Sequence, residues 1–555
     1  MLKTISEINS LFINDKLFLL YNFMKRLQIS LGLLLILACT SFITVVNVSD
    51  KKALKTKPLE VINTSLSPIE RFTIKHPKRE LRSAWITTFT NLDWPSKKGL
   101  SSSEQKKEFL KIVGDFEKNS INAVIGQVRA SSDAFYKSKL SPWSEWLTGH
   151  QGQAPDSDFD PLKFMVKECH ERNMEFHAWF NPFRAVSHVK FSNISKNHIT
   201  KKKPEWFFKY GNTLYYNPGI PEVREYICNV VKEVVHNYDI DGVHFDDYFY
   251  PYTIKGEKIP DDKEYREHSR GCISKDDWRR DNINLLIQEV AQVIKSEKKH
   301  VKFGVSPLAI WRNQKQDPKG SFTNSGQSSF DNLYCDTKLW IEENWVDYMA
   351  PQLYWSTSNK FANYNHLINW WTKNEFDRHL YVGHAIYKLN TKNRHTFGTD
   401  ELIKQVNISR KNGRVDGNIY FRAKAFVSNH QNFQKSIGES IYKYPSLIPA
   451  MKWIDSIPPS KPNKLRAKIS EQQVHLKWKA PKYINTNDSA VYYVVYRFEE
   501  DESISIEYSS KILSIQKKKE FIDTNASPKK RYKYVVTAVD RLHNESEDFA
   551  LTEVK

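Results

Sequence analysis

The stretch DIDGVHFDDYFYPY, from Asp239 to Tyr252, surrounds a short apolar run with four acidic residues and a histidine. Val243 and Phe245 alternate with small or polar residues, which is the pattern of a β-strand that packs one face against an apolar layer. The run ends at Asp246 and Asp247, where two carboxylates are neighbours as the strand gives way to a loop. The stretch therefore predicts a strand whose carboxyl end carries functional groups.

The same order of a short apolar run, a turn and an amphipathic helix recurs through residues 77–450. The predicted strands are Ser83–Thr88, Ala123–Val128, Glu175–Asn181, Gly242–Asp246, Lys302–Ser306, Asp347–Gln352, Tyr381–His384 and Asn418–Phe421. The predicted helices are Ser103–Glu117, Pro161–Arg172, Pro221–Asn237, Lys275–Glu297, Tyr334–Glu343 and Asp400–Lys411. Eight strands alternating with helices predict an α/β fold, a (β/α)8 TIM barrel, with its longest loops after the second, fourth and fifth strands. Active sites of this fold lie at the carboxyl ends of the strands.

The pattern changes after Pro459. Val474–Trp478, Tyr492–Tyr496 and Tyr532–Val539 are predicted to be alternating strands without helices between them. A tryptophan in an early strand and a Tyr-x-Tyr-x-Val strand near the end are similar to a fibronectin type III sandwich. Residues 459–555 are therefore predicted to form a small all-β domain, which carries no predicted chemistry.

The N-terminal segment has the features of a bacterial export signal followed by a tether. From Met24, two basic residues precede a short apolar stretch that ends at a small residue and Cys39. This order resembles a lipoprotein signal, so residues 1–48 are predicted to be a signal segment with Cys39 as the lipidated residue. Residues 49–76 are predicted to tether the protein to a membrane of the cell envelope, with the outer membrane favoured. The alternative is an uncleaved membrane anchor.

The chain carries 83 Lys and Arg against 64 Asp and Glu, a formal net charge of +19. Such an excess suits an acidic partner, but it also fits a surface rich in lysine. No nucleic-acid-binding motif accompanies the lysine runs, so nucleic acid is not a predicted partner. A monomer is expected.

Strand parity selects the side chains that face the barrel axis and gather at its mouth. In the fourth strand, Val243 and Phe245 face the helices, and Asp246 therefore faces the axis. The residues predicted to contact substrate are Trp85, Gln127, Arg129, His177, Trp179, Asn181, His244, Tyr248, Ser306, Gln352, Tyr354, Trp355 and Arg422. His177, His244 and Asp246 are residue types that bind metals, but they lack the spacing of a metal motif, so neither a metal nor another cofactor is predicted.

Seven motifs resemble, in order, the glycosyl-hydrolase-like family 10 proteins. They are ELRSAWITT (Glu80–Thr88), NAVIGQVRASSDAFYKS (Asn122–Ser138), FHAWFNPFR (Phe176–Arg184), YNPGIPEVREYI (Tyr216–Ile227), DGVHFDDYFYPY (Asp241–Tyr252), FGVSPLAIWRN (Phe303–Asn313) and VDYMAPQLYW (Val346–Trp355). The resemblance implies a (β/α)8 glycoside hydrolase that acts on a glycan polymer. The family includes outer-membrane lipoproteins, and the resemblance implies that these cleave peptidoglycan strands stripped of their stem peptides. Some members of the family carry a fibronectin-like tail.

The catalytic hypothesis starts from the two carboxyl groups that glycosidases use, about 5 Å apart for retention and roughly 6.5–9.5 Å apart for inversion. Asp246 is predicted to orient the 2-acetamido group of the sugar or to act as nucleophile, and Asp247 to be the acid/base. This arrangement resembles the paired aspartates of family 84 hexosaminidases. Compared with the chitinase pattern DGxDxDxE, Tyr248 occupies the position of the acidic Glu, which moves the acid role to Asp247.

Three further interpretations concern the substrate. Arg129 or Arg422 is predicted to pair with the lactyl carboxylate of a muramic acid residue. Trp85, Trp179 and Trp355 are candidate stacking surfaces for sugar rings. The motifs define the barrel better than the sugar, so a hydrolase of another polysaccharide and a non-catalytic glycan-binding lipoprotein are both kept as alternatives.

Overall fold

The computed structural model describes residues 76–156, 158–190, 194–391, 396–482 and 488–554. These residues belong to one compact unit. The predicted export signal, the lipidation site Cys39 and nearly all of the predicted tether lie outside the described residues. Within the described ranges, no helix is long and apolar enough to cross a membrane.

Eight parallel strands close into a barrel in which each strand pairs with its neighbours in chain order and the last pairs with the first. The strands are β1 (Leu81–Ile86), β2 (Ala123–Arg129), β3 (Glu175–Phe180), β4 (Gly242–Phe245), β5 (Lys302–Val305), β6 (Tyr348–Met349), β7 (His379–His384) and β8 (Gly417–Tyr420). The main helices that follow them are α1 (Ser102–Lys118), α2 (Pro161–Glu171), α3 (Pro221–Asn237), α4 (Lys275–Glu297), α5 (Thr337–Glu342), α6 (Tyr364–Trp371), α7 (Thr399–Asn412) and α8 (Phe433–Glu439). Shorter helices are Glu145–Thr148, Ile199–Lys202, Asp262–Glu267, Ser329–Asn332 and Ala423–Val427. The predicted (β/α)8 fold is confirmed.

Three strands differ from their predicted bounds by two residues or more, and one of them is β7, which begins at His379 rather than at Tyr381. Strand β1 begins at Leu81 rather than at Ser83. Strand β6 was predicted to continue to Gln352 but ends at Met349. Pro351 has no N–H to donate to a strand ladder, so pairing stops before it and resumes at Gln352 only as two isolated bridges, to Leu308 and Gly383.

Strand β4 has the predicted parity. Val243 and Phe245 are buried in the core between the barrel and its helices. The side chain of His244 lies on the opposite face, where it contacts Tyr348 inside the barrel. Position 242 is a glycine because a Cβ there would lie 2.8 Å from the ring of His177. The glycine on β4 thus leaves room for the ring of His177 inside the barrel.

The longest loop at the carboxyl end of the barrel follows β3, not β2, β4 or β5 as predicted. It runs from Asn181 to Ile220, between β3 and α3. It contains a three-stranded antiparallel sheet formed, in spatial order, by Arg184–Val186, Thr213–Tyr216 and Phe207–Tyr210. Because the first of these strands begins soon after β3 ends, the loop adds side chains directly to the barrel mouth.

The C-terminal residues form a β-sandwich, as predicted. Its strands are β9 (Asn463–Ser470), β10 (Gln473–Lys479), β11 (Tyr492–Glu499), β12 (Ile512–Gln516), β13 (Glu520–Asp523), β14 (Tyr532–Val539) and β15 (Ala550–Val554). One antiparallel sheet has the order β9-β10-β13, and the other has the order β12-β11-β14-β15. Trp478 is buried between the two sheets against Tyr493.

Strand β11 departs from the predicted alternation because both of its faces are buried. Tyr493 and Val495 lie in the sandwich core. Tyr492 and Val494, on the other face, form a second apolar cluster with Leu447 from the last segment of the barrel. A strand covered on both faces has a continuous apolar sequence, as YYVVY does. The sandwich therefore packs firmly on the barrel.

The loop between β14 and β15 reaches the amino-terminal end of the barrel. Arg541 pairs with Asp239 at 2.7 Å and with Asp241, at the start of β4, at 3.2 Å. His543 contacts the buried carboxylate of Glu175, the first residue of β3, with 2.7 Å between Nε2 and Oε1. The sandwich thus closes the end of the barrel opposite the predicted active site.

Replacing His543 with Ala is expected to lower the stability of this unit. The change removes one hydrogen-bond donor from the buried carboxylate of Glu175, and losing a bond to a charged group costs about 1.5–3 kcal/mol. Thermal unfolding should show a lower midpoint for this variant than for wild type. His475→Ala, on strand β10 of the same sandwich, is the control, and equal midpoints for the two variants would contradict the expected result.

Candidate active site

Asp246 lies at the carboxyl end of β4, where three donors surround its carboxylate. The indole Nε1 of Trp179 donates to Oδ2 over 3.0 Å, and Nδ2 of Asn181 donates to the same oxygen over 3.0 Å. The backbone N–H of Tyr248 donates to Oδ1 over 3.2 Å. The side chain is only 3% exposed. Fixed donors from β3 and from the loops after β3 and β4 therefore hold Asp246 in one orientation.

Asp247 follows in the chain and has different partners. The hydroxyl of Tyr252 donates to its Oδ2, and the side chain of Gln352 also hydrogen-bonds to it. Gln352 in turn donates to the backbone oxygen of Ser306 over 2.9 Å. Fewer donors surround Asp247 than Asp246, whereas the pKa of Asp246 is the one raised to about 7, so the donors favour Asp247 and the pKa values favour Asp246 as the carboxyl that holds the proton.

The two neighbouring carboxyls retain a proton more strongly than ordinary aspartates. Burial, followed by the charge of Asp247, raises the pKa of Asp246 to about 7. Burial also raises the pKa of Asp247. Because each ionised carboxylate disfavours ionisation of the other, the pair keeps a proton to higher pH than isolated aspartates do. Such a pair can supply an acid and a base at the same time.

Below the pair, the tautomer of His244 follows from its partners. The indole N–H of Trp85 can only donate, so Nε2 of His244, 3.2 Å away, must accept. The same nitrogen lies 2.9 Å from the hydroxyl of Ser306. The proton therefore resides on Nδ1, which donates to the hydroxyl oxygen of Tyr348 over 3.0 Å. Burial holds the pKa of His244 well below its usual value, so the ring is neutral.

The hydrogen bonds continue in one direction to the other end of the barrel. Since the oxygen of Tyr348 accepts from His244, its own O–H donates to Nδ1 of His177 over 2.8 Å. Nε2 of His177 then donates to Glu175 over 2.9 Å. Burial alone would raise the pKa of Glu175, but Lys302 and its histidine partners hold that pKa well below the usual value. One ionised carboxylate thus orients the whole chain of hydrogen bonds beneath the site.

Five side chains that were predicted to contact substrate lie below the site inside the barrel and support its residues. They are at most 2% exposed, and their polar atoms are engaged within the barrel. Gln127 accepts from the backbone N–H groups of Thr88 and Phe89, and so positions the loop after β1. The side chains corrected to a supporting role are Trp85, Gln127, His177, His244 and Ser306. Within the described ranges, no group of three His, Cys, Asp or Glu side chains is placed to hold a metal ion.

Both arginines predicted to bind a muramic acid carboxylate form hydrogen bonds with other parts of the protein. The pairing register of β2 shifts between Gln127 and Arg129, so Arg129 no longer shares the inward parity. Its buried guanidinium donates to the hydroxyl of Tyr216 over 3.0 Å. Arg422 donates to the backbone oxygen of Leu92 over 2.6 Å and pairs with Asp93 at 3.3 Å. Neither prediction is supported by these contacts.

The remaining predicted residues lie at the mouth itself. Tyr248, Gln352, Tyr354 and Trp355 are partly exposed, whereas Trp179 and Asn181 are buried as donors to Asp246. The ring of Tyr354 stacks on Phe421, with ring centroids 6.0 Å apart. Trp179 therefore acts through its indole N–H rather than as an open stacking surface.

Two residues of this site were not predicted. Tyr252 ends the stretch Asp239 to Tyr252, but nothing in its spacing indicates that its hydroxyl reaches Asp247. Arg184 begins a strand in the loop after β3, and its positive charge lowers the pKa of Asp246 and of Asp247 against the effect of burial. The motif FHAWFNPFR ends at Arg184, and this was the available signal for it.

A (β/α)8 barrel with a buried carboxyl pair at its mouth has the architecture of a glycoside hydrolase. A family model described as Glycosyl hydrolase-like 10 matches residues 80–397. The chain belongs to this family and is a glycoside hydrolase.

Two curated relatives carry the same class of name. The chain is 44% identical to Glycosyl hydrolase YngK of Bacillus subtilis (strain 168), over 84% of this chain and 92% of that protein. It is 36% identical to Glycosyl hydrolase DigH of Escherichia coli (strain K12), over 63% of this chain and 84% of that protein.

Solved structures are more distant. The glycoside hydrolase domain of PgaB (BpsB) from Bordetella bronchiseptica has a TM-score of 0.40 and 12% identity, over 65% of this chain and 98% of that one. An Fn3-like protein from Clostridium thermocellum has a TM-score of 0.15 and 22% identity, over 18% of this chain and 94% of that one. The family assignment rests on the sequence matches instead.

Proposed function

We propose that the protein hydrolyses O-glycosidic bonds in peptidoglycan strands that lack stem peptides, with Asp246 and Asp247 as its catalytic pair. The observation that carries the proposal is the pair of neighbouring buried carboxyls with raised pKa values at the barrel mouth. Hydrolysis of a glycoside needs a proton donor for the leaving oxygen and a second carboxylate at the anomeric centre. A pair that shares one proton provides both.

The contacts support a division of roles within the pair. Trp179, Asn181 and the backbone of Tyr248 all donate to Asp246, so they stabilise its anion and fix its direction. We assign Asp246 to orient the 2-acetamido group of the sugar, or to act as nucleophile. Asp247 has fewer donors, and we assign it to protonate the leaving oxygen and then to activate water.

The rate of hydrolysis is expected to fall as pH rises through about 7. The pKa of Asp246 within the pair is raised to about 7, so above that pH the pair loses its last proton and no acid is left for the leaving group. On this limb kcat/KM should fall about tenfold for each pH unit. The measurement is kcat/KM on soluble denuded strands across this range, and a rate that stays level well above neutral pH would contradict the shared proton.

The direct test of the proposal is digestion of denuded peptidoglycan strands, with products analysed by mass and by anomeric configuration. Fragments that carry a new reducing end are expected. A parallel panel of other polysaccharides covers the first alternative, because selective cleavage of one of them would replace peptidoglycan as the substrate. Binding of denuded strands without any turnover would instead favour a glycan-binding lipoprotein.

We also propose that the protein is anchored in the cell envelope by a lipid on Cys39. The support is the sequence alone, a basic segment and an apolar stretch that end at this cysteine. Incorporation of a labelled fatty acid into wild type, and its loss in Cys39→Ser, is the expected result. Equal labelling of the two proteins would remove the proposal.

A further inference from the structure

Arg184 is held in place by one hydrogen bond from its backbone and one from its side chain. Its backbone N–H donates to Oδ1 of Asn181 over 2.9 Å, and its Nε donates to the backbone oxygen of Ala130 over 3.1 Å. Asn181 is the same residue whose amide nitrogen donates to Asp246. The position of Arg184 is therefore tied to that of the catalytic pair through one shared amide.

Two aromatic rings pack against the guanidinium of Arg184. Its central carbon lies 4.1 Å from the ring centroid of Phe89 and 5.1 Å from that of Tyr248. Stacking of this kind covers the flat faces of a guanidinium and leaves the edge with its N–H groups free. Among the described residues, the two terminal nitrogens make neither a hydrogen bond nor an ion pair, although the residue is only 9% exposed.

Arg184 also lies close to the acid pair, because its guanidinium packs on the ring of Tyr248, the residue that follows Asp247. Burial raises the pKa of Asp246 and of Asp247, and the charge of Arg184 is among the influences that oppose this rise. Within the described part of the chain, no carboxylate oxygen lies within the 4.0 Å of an ion pair with Arg184. A fixed cation thus lies near the pair without forming an ion pair with it.

We infer that Arg184 binds a carboxylate on the sugar that occupies the cleft beside Asp246 and Asp247, so that the natural substrate is an acidic glycan. This inference rests on the proposed function of that pair. A guanidinium edge with two parallel N–H groups matches a carboxylate in bidentate geometry. The lactyl ether of a muramic acid residue and the carboxyl group of a uronic acid both present this chemistry.

Other cations around the mouth do not compete for this role. Arg129 is engaged with Tyr216, and Arg422 with Asp93. Lys388 donates to a backbone oxygen in the loop after β6, and burial lowers its pKa. Of these cations, Arg184 alone combines fixed stacking with unengaged terminal N–H groups.

The test compares Arg184→Gln with wild type on matched substrates. The substrates are denuded peptidoglycan strands, the same strands with each lactyl carboxyl converted to a methylamide, chitin oligosaccharides and a uronic acid polysaccharide. On the natural strands, kcat/KM of Arg184→Gln should fall about 10- to 100-fold, since a bond to a charged group is lost. On the amidated strands it should change less than about twofold. Arg312→Gln is the control, because Arg312 pairs with Asp317 and Asp331 in the loop after β5.

A second measurement protects the test against a folding defect. Arg184→Lys keeps the charge and should recover part of the preference for natural over amidated strands. The unfolding midpoints of Arg184→Lys and Arg184→Gln are recorded to show that both variants fold. Affinities of both strands for the inactive Asp246→Asn variant are measured as well. We expect Asp246→Asn to bind the natural strand more tightly than the amidated strand. Adding Arg184→Gln to this variant should remove the difference.

The outcomes separate the inference from the proposed function. If wild type cleaves natural and amidated strands equally, or if Arg184→Gln loses the same factor on both, the inference is wrong and the proposed function stands. If wild type cleaves the uronic acid polysaccharide instead, and that preference depends on Arg184, the inference stands and peptidoglycan is replaced. Efficient cleavage of neutral chitin oligosaccharides would also overturn the acidic substrate.

Discussion

Replacing either Asp246 or Asp247 with Asn is expected to lower kcat on denuded peptidoglycan strands by about 10³-fold. Asn has the shape of Asp but can neither donate a carboxyl proton nor carry the negative charge. In either variant the pair can no longer share one proton between two carboxyls. Initial rates of reducing-end formation at neutral pH measure the effect, and Asp317→Asn in the loop after β5 is the control.

The same variants carry a stability signature that a misfolded protein would lack. The pKa of Asp246 is raised by folding, so the unfolded chain releases this proton at lower pH than the folded protein does. Ionisation therefore favours unfolding as pH rises from about 4 to about 7. Asp246→Asn removes this cost, and it should unfold at a higher temperature than wild type at about pH 8, with a smaller difference at about pH 4. A near-normal rate in either variant would remove that residue from the catalytic pair.

The second large effect is expected for Glu175→Gln, far from the mouth. Glu175 is 2% exposed, and it pairs with the buried ammonium of Lys302 while accepting from His177 and His543. Removing its charge leaves Lys302 buried without a counter-ion, which costs about 3–5 kcal/mol. Urea unfolding should show a lower midpoint. Glu171→Gln, on an exposed position at the end of α2, is the control.

The double variant Glu175→Gln with Lys302→Met separates the charge effect from simple loss of packing. Removing both charges also removes the unpaired ammonium, so part of the lost stability should return. If the double variant is no more stable than Glu175→Gln alone, the burial of Lys302 without its partner is not the source of the loss.

Much of the barrel could be predicted because its signals are local. The parity of β4 follows from Val243 and Phe245, and the bounds of α3 and α4 follow from amphipathic repeats that end at clear turns. The placement of Asp246 at the mouth needs only the strand end and the rule that barrel sites lie at carboxyl ends. Each of these inferences uses residues that are close together in the sequence.

The errors arise where distant contacts decide. The register shift in β2 turns Arg129 away from the axis, and this shift appears only when β2 pairs with β3. The alternation in β11 was misread because Leu447, from the barrel, covers its second face. The role of Arg184 could not be predicted from the sequence because its guanidinium is positioned by Ala130 and Phe89, which belong to the loops after β2 and β1.

The sequence alone determined the barrel, the sandwich, the family and the neighbouring carboxyls Asp246 and Asp247, since periodicity and motif order are properties of the chain. Only the tertiary structure decided which polar residues reach the cleft and which support it. His244 and Arg184 show why, since each belongs to a family motif, yet His244 is buried below the pair and Arg184 packs beside it on Tyr248. Burial, partners and charge depend on segments far apart in the chain, and folding alone brings these segments together.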